Sequence, residues 1–146
     1  KAVNRYDLKE TFPASVENSD RNTSTFVIQA ELCGPGIQKN KLGLDSHDMF
    51  VFGIYDATND RYLTYEELEM FCGDLLLKTV PYIDSISLEG HTVDTLLVMA
   101  EGKYQGTKNE REGIVIRDLE SSRSKTLDGA LLSFKVINNK YLLKEE

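Results

Sequence analysis

MFVFGIY, residues 49–55, is the most apolar run in the chain, and its reading decides the fold. A short apolar run rich in aromatic and β-branched residues reads as a strand buried in a sheet. Upstream, residues 25–32 (TFVIQAEL) are also rich in β-formers and stop at the breaker Cys33-Gly34-Pro35-Gly36. Residues 34–46 then make a long connection, and a connection of that length in a compact domain often carries function. Downstream, Asn59-Asp60 supplies a turn. Thr64 follows as an N-cap, with Glu67 completing a capping box ahead of Leu68, Phe71 and Leu75 at helical spacing. That helix is expected to end near Leu77.

The remaining elements follow from the same signals. Residues 79–86 read as a strand, and residues 92–100 as a second helix with Val93, Leu96, Leu97 and Ala100 on one face. Residues 113–119 (GIVIRDL) and 130–137 (ALLSFKVI) read as two further strands, and the residues after Asn138 as the start of a helix or as a stretch cut short. Residues 1–12 read as a short helical segment before Pro13, and the polar residues 15–24 as a surface loop. Strands with interspersed helices predict an α+β fold, mainly antiparallel sheet with flanking helices.

Composition narrows the classes of function. The 146 residues suit one ordinary domain, and 40% hydrophobic with 28% charged residues excludes collagen-like and disordered chains. No apolar run approaches the ~18–20 residues of a membrane span, and the N-terminus does not resemble a signal peptide. Cys33 and Cys72 are the only cysteines, which excludes a disulfide scaffold and reads as reduced thiols in an intracellular protein. His47 and His91 are isolated, and no His/Cys spacing suggests zinc. The net charge of −7 argues against indiscriminate nucleic-acid binding. The charge is uneven, however: residues 108–144 hold eight basic and five acidic side chains. A basic stretch of this kind marks an anion site or, more blandly, a solvated face.

Three segments carry chemistry. Glu31 ends a strand ahead of a Gly-Pro-Gly turn with Gln38 and Lys39 beyond it, a pattern that suits a sugar hydroxyl under a close backbone. Glu112 opens the apolar strand GIVIR beside a glycine, where a carboxylate can face a divalent ion or its waters. Lys135 lies in SFKVI, on the strand face opposite Phe134 and Val136, and a lysine there can neutralise phosphate. Each has a bland counterpart. Glu31 can simply end a strand, Phe50 and Phe52 can be core, and Glu112 follows Glu110 and Arg111 in a charged run. Lys135 is the least bland, because a lysine among apolar strand residues is costly without an anionic partner.

In this order, AELCGPGIQKNKLGL, DMFVFGIYD, EGIVIRDL and SFKVINNKYLL resemble motifs III, IIIa, IV and V of the covalent nucleotidyltransferase superfamily. They are most similar to ATP-dependent RNA ligases, of the Deinococcus-type nick-sealing branch. The resemblance implies one partial nucleotidyltransferase domain (ATP-grasp-like ligase) over residues 1–146. It implies that Glu31 bonds the ribose of a bound adenylate, that Phe52 stacks on adenine, that Glu112 orients Mg²⁺ or Mn²⁺, and that Lys135 contacts the AMP phosphate. Glu112 and Lys135 are the implied catalytic residues, and Arg117 and Lys140 add contacts to phosphate or RNA. ATP is the implied cofactor, and a nicked duplex or RNA end the implied partner. The implied parent is monomeric, contacts no membrane, and joins 3′-OH to 5′-phosphate ends through lysyl-AMP and RNA-adenylate.

Three departures accompany the resemblance. Ile137 stands where relatives carry a second motif V lysine, and Gly53 where relatives often carry Asp. No Lys-x-Asp-Gly, the family's nucleophile motif, precedes Glu31. Lys125-Thr126-Leu127-Asp128-Gly129 has one residue too many and reads as a loop. The expectation is a nucleotidyltransferase domain truncated at its N-terminal side, inactive alone, whose preceding part supplies the nucleophile and an OB-like module. A non-catalytic ligase-like module that binds nucleotide or RNA ends is the alternative.

Overall fold

Strand β2, Asp48–Asp56, is the longest strand and organises the first half of the chain. It was expected as residues 49–55 and gains one residue at each end. In the computed structural model, which describes residues 24–126 and 129–145, the chain divides into two compact units. Residues 24–32 and 49–80 make the first; residues 33–48 and those from 81 onward make the second. The helical segment expected over residues 1–12, and nearly all of the loop expected over 15–24, lie outside the described residues.

In the first unit, β1 (Phe26–Cys33) lies beside β2. The two-residue β3 (Arg61–Tyr62) pairs antiparallel with the far end of β2, and β4 (Lys78–Thr79) pairs parallel with its near end, Phe50 opposite Lys78. Helix α1 (Tyr65–Asp74) starts at Thr64, whose hydroxyl accepts the Glu67 N–H at 3.2 Å while the Glu67 carboxylate accepts the Thr64 N–H at 2.9 Å. Two of the orphan donors at this end of the helix are thereby satisfied. The helix stops three residues short of the expected Leu77. The chain turns left-handed at Leu76, and the Leu77 N–H returns to the Cys72 carbonyl at 2.9 Å, a helix-closing arrangement. Val51, Ile54, Leu63, Leu68 and Cys72 form the core, with Ile28, Ala30, Phe71 and Leu77 packed against it.

The strand expected over 79–86 is a correction. The Val80 N–H still donates to the Val51 carbonyl at 2.9 Å, but Pro81 has no N–H with which to continue the ladder. Residues 81–85 are exposed and carry no strand.

The second unit is built on a two-stranded ribbon. β5 (Gly113–Arg117) and β6 (Ser133–Ile137) pair antiparallel, from Gly113 opposite Ile137 to Arg117 opposite Ser133. Both strands are shorter than the sequence suggested. Helix α2 (Val93–Ala100), capped by Thr92, packs on this ribbon with Leu96 and Leu97 partly and Ala100 wholly buried. Val93 leaves the expected apolar face: as the first helical residue it is 74% exposed. Helix α3 (Asn139–Glu145) follows β6 directly, as expected beyond Asn138. Two isolated strands need a cover to be stable in water, and α2 supplies it.

The connection 33–48 belongs to this unit and is ordered by polar contacts. Gln38, Lys39 and Asn40 all take left-handed backbone angles. The Asn40 side chain donates to the Leu44 carbonyl and accepts its N–H, at 2.8 and 3.0 Å. Lys41 reaches Tyr141 of α3, donating to its hydroxyl at 2.6 Å.

Candidate functional site

Strand alternation on the β5–β6 ribbon sorts its side chains into two faces. Ile114 is buried on one face, whereas Val115, on the other, is 57% exposed. Lys135 pairs across from Val115 and so shares its face, as does Arg117 farther along β5. Strict alternation would send Glu112, just before β5, to the buried face with Ile114. Instead its carboxylate accepts a hydrogen bond from Lys135 Nζ, forming an ion pair with both side chains roughly 40% exposed. Glu112 therefore leaves the alternation, and Gly113 is where it does so. A Cβ at Gly113 would stand 2.1 Å from the Val136 carbonyl oxygen, so only glycine lets the two strands approach this closely. The two residues expected to be catalytic thus stand together on the accessible face of one ribbon. An exposed pair of this kind contributes little to stability, and its placement matters more than its energy.

The polypeptide around Glu112 is tightly held. The Arg111 guanidinium donates to the carbonyls of Met99, Ala100 and Glu101 at 2.6, 3.0 and 2.8 Å, closing the C-terminus of α2. The Glu112 N–H donates to the Tyr104 hydroxyl at 3.3 Å, and the Glu112 carbonyl accepts the Asn138 N–H at 2.8 Å. Lys140, on α3, donates to Glu101 at 2.6 Å, and this hydrogen bond, with the charge of Glu101 behind it, raises its pKa. Arg117 ends β5 opposite Ser133.

The other two expected site residues belong to the first unit. Glu31 lies near the end of β1 and is exposed. Phe52, in the middle of β2, is 37% exposed and does not join the core that Val51 and Ile54 form. Its neighbour Gly53 has a structural counterpart: a Cβ there would lie 2.7 Å from Gln29 Oε1. The Gln29 carboxamide occupies the space that an Asp at this position would need. Ile137, in the place of a second motif V lysine, faces Gly113 across the ribbon and is half-buried.

Sequence reasoning passed over Arg111, Tyr104 and Asn138. Arg111 sits between two glutamates and reads as part of a solvated charge run, yet it is half-buried and grips three carbonyls. Only Asn138 left a signal, as a good N-cap residue where a strand passes into a helix. Neither of the thiols read as reduced is joined in a disulfide, and Cys72 is buried and Cys33 half-buried. Among the described residues, no group of three or more His, Cys, Asp or Glu side chains could hold a metal ion. Among them, too, no helix is long and apolar enough to cross a membrane.

Residues 1–137 match the family described as RNA ligase. Among solved structures, a single-residue mutant of the Naegleria gruberi RNA ligase with ATP and Mn is 32% identical, with a TM-score of 0.74 over 98% of this chain and 39% of that one. The same ligase with PPi is 34% identical at a TM-score of 0.69, over 82% of this chain and 34% of that one. Another of its mutants, also with ATP and Mn, is 34% identical at a TM-score of 0.70 over the same shares. The chain therefore spans between a third and two-fifths of the length of these relatives. None of the curated proteins matches it.

Proposed function

The chain belongs to the RNA ligase family, and from that premise we propose that it is part of an ATP-dependent RNA ligase that seals 3′-OH to 5′-phosphate ends. The observation that carries the reading is the Glu112–Lys135 pair on the open face of the β5–β6 ribbon. In this reading residues 1–146 are one partial nucleotidyltransferase domain. Lys135 donates to the adenylate phosphate and counters charge that builds as the phosphorus is attacked, a kind of stabilisation worth ~10²–10³ in rate. Glu31 accepts from the ribose hydroxyls, and the exposed ring of Phe52 stacks on adenine, worth about 1–3 kcal/mol. Arg117 and Lys140 add phosphate or RNA contacts, with Lys140 exchanging Glu101 for the nucleic acid.

The donor set fits a divalent ion of one kind only. Without a cluster of ligands among the described residues, a fully protein-bound metal is a poor match. Glu112 alone suits Mg²⁺ or Mn²⁺ that keeps its waters and binds chiefly to nucleotide phosphates. Such an ion, when bound, polarises the phosphoryl oxygens.

The reaction balances in three transfers. A neutral lysine Nζ supplied from outside these motifs attacks the α-phosphorus of ATP, sheds a proton and expels pyrophosphate. The RNA 5′-phosphate oxygen then attacks that phosphorus and takes AMP from the lysine, whose nitrogen picks up a proton and leaves as the free amine. Finally the 3′-OH attacks the adenylated 5′-phosphorus, loses its proton and expels AMP. The parent protein carrying Lys135→Ala or Glu112→Ala is expected to seal nicks at least about 100-fold more slowly, and near-normal sealing would sink the reading. Incubation of the parent with labelled ATP and metal is expected to yield lysine-linked AMP. Nucleotide or RNA binding without that adduct would favour a non-catalytic ligase-like module.

A further inference from the structure

Asn138 is 0% exposed, and a carboxamide so far from water must find partners for its polar atoms. Its Nδ2 reaches the Gly102 carbonyl at 3.5 Å, and its closer contacts flank Glu112. The Asn138 side chain donates from Nδ2 to the Arg111 carbonyl at 2.9 Å, and its backbone N–H donates to the Glu112 carbonyl at 2.8 Å. These two carbonyls belong to the consecutive peptide planes that meet at the Glu112 Cα. Each plane is rigid, so holding both fixes the direction in which the Glu112 side chain leaves the backbone. The N–H of the first plane is held as well, by the Tyr104 hydroxyl. Asn138 Oδ1 accepts the Lys140 N–H at 3.0 Å and so caps the start of α3. Lys135 lies three residues earlier, on the strand that Asn138 ends.

From this we propose that Asn138 is a positioning residue for the Glu112–Lys135 pair. This inference rests on the ligase reading for its consequence in catalysis, but not for its geometry. Glu112 has left the strand alternation and cannot rely on the ladder alone for its aim. Asn138 supplies the missing constraint and ties it to the same strand that carries Lys135. An apolar residue of similar size would leave the Arg111 carbonyl without its donor. Serine keeps an acceptor for the Lys140 N–H and the cap but removes the link to Arg111. Aspartate keeps the cap too, while turning an acceptor towards that carbonyl.

The test compares the parent protein as wild type, Asn138→Ser and Asn138→Asp, with Lys135→Ala as reference. Both Asn138 variants are expected to lower kcat for nick sealing about tenfold or more, in line with the cost of ~1 Å misplacements. The KM for ATP stays within about twofold, because Asn138 acts on placement and not on nucleotide binding. Amide exchange at residues 112 and 138 quickens about tenfold while α2 keeps its protection, the mark of a local opening. An unchanged kcat in a protein that Lys135→Ala inactivates would overturn the proposal. So would exchange quickened throughout the unit, which would make Asn138 a general stabiliser. Should Lys135→Ala itself leave sealing intact, the ligase reading falls, and protection at residue 112 still decides whether Asn138 fixes Glu112.

Discussion

Replacing Gly113 by alanine puts a single methyl group where the ribbon has no room for one. The added carbon would lie 2.1 Å from the Val136 carbonyl oxygen and 3.0 Å from the Ile137 Cα. Carbon and oxygen approach no closer than about 3.3 Å even in the weak hydrogen bonds between strands. The strands must therefore part by roughly 1.2 Å at this end. Asn138 donates to Glu112 at 2.8 Å beside the clash, and the same displacement would take that distance to roughly 4 Å, beyond hydrogen bonding. A buried donor left without its acceptor costs ~1–3 kcal/mol, and each further ladder bond weakened costs about 1 kcal/mol. Gly113→Ala is thus expected to destabilise the protein by about 2–4 kcal/mol. Urea unfolding followed by circular dichroism measures the change, and two-dimensional NMR reports whether the Glu112 and Asn138 amides shift. A variant within about 0.5 kcal/mol of wild type, with both amides unmoved, would refute the steric argument and the account of how Glu112 reaches Lys135.

Two further outcomes test the first unit. Gly73 is helical and has nothing within 4 Å of a Cβ built on it, so Gly73→Ala is expected to stabilise by about 0.5–1 kcal/mol, read as a higher urea midpoint. Glu67 is held at a pKa of about 2, first by its hydrogen bond from Arg61 and then by the Thr64 N–H. A depressed carboxylate contributes stability above its unfolded pKa and loses it as pH falls towards the folded value. The stability gap between wild type and Glu67→Gln should therefore be full above about pH 4.5 and close towards pH 2. A gap that stays constant across that window would contradict the assignment.

What was legible in the sequence was whatever local chemistry determines. The run 49–55 became β2 because its aromatic and β-branched residues suit a pleated, half-buried strand. Thr64 and Glu67 became a capping box because the two side chains need only each other's backbone. Lys135 was placed on its face by alternation alone. The losses are equally physical. Residues 79–86 look like a strand by composition, but Pro81 cannot donate, so pairing stops at Val80. Val93 fits the apolar stripe of its helix yet sits at the first turn, outside the covered part. Arg111 and Asn138 act on carbonyls of residues that are distant in sequence, and a carbonyl is the same in every residue type. Nothing in the letters at 99–101 marks those groups as the ones an arginine will grip. The aim of Glu112 was hidden for the same reason, since alternation predicts the buried face and only the glycine–carbonyl contact reverses it.

The ribbon also depends on the helix that covers it. Helix α2 spans eight residues and begins with its own capping box, so it can start to form from neighbours alone. The pairing of Glu112 with Lys135 joins residues 23 apart and must first close the intervening loop, at a cost in chain entropy. Two strands gain little until a third layer covers them, and that layer is the helix. The charged pair therefore depends on the cover that α2 provides to the ribbon. A destabilising change on the face that α2 presents to the ribbon should therefore reach the Glu112–Lys135 pair without touching either residue.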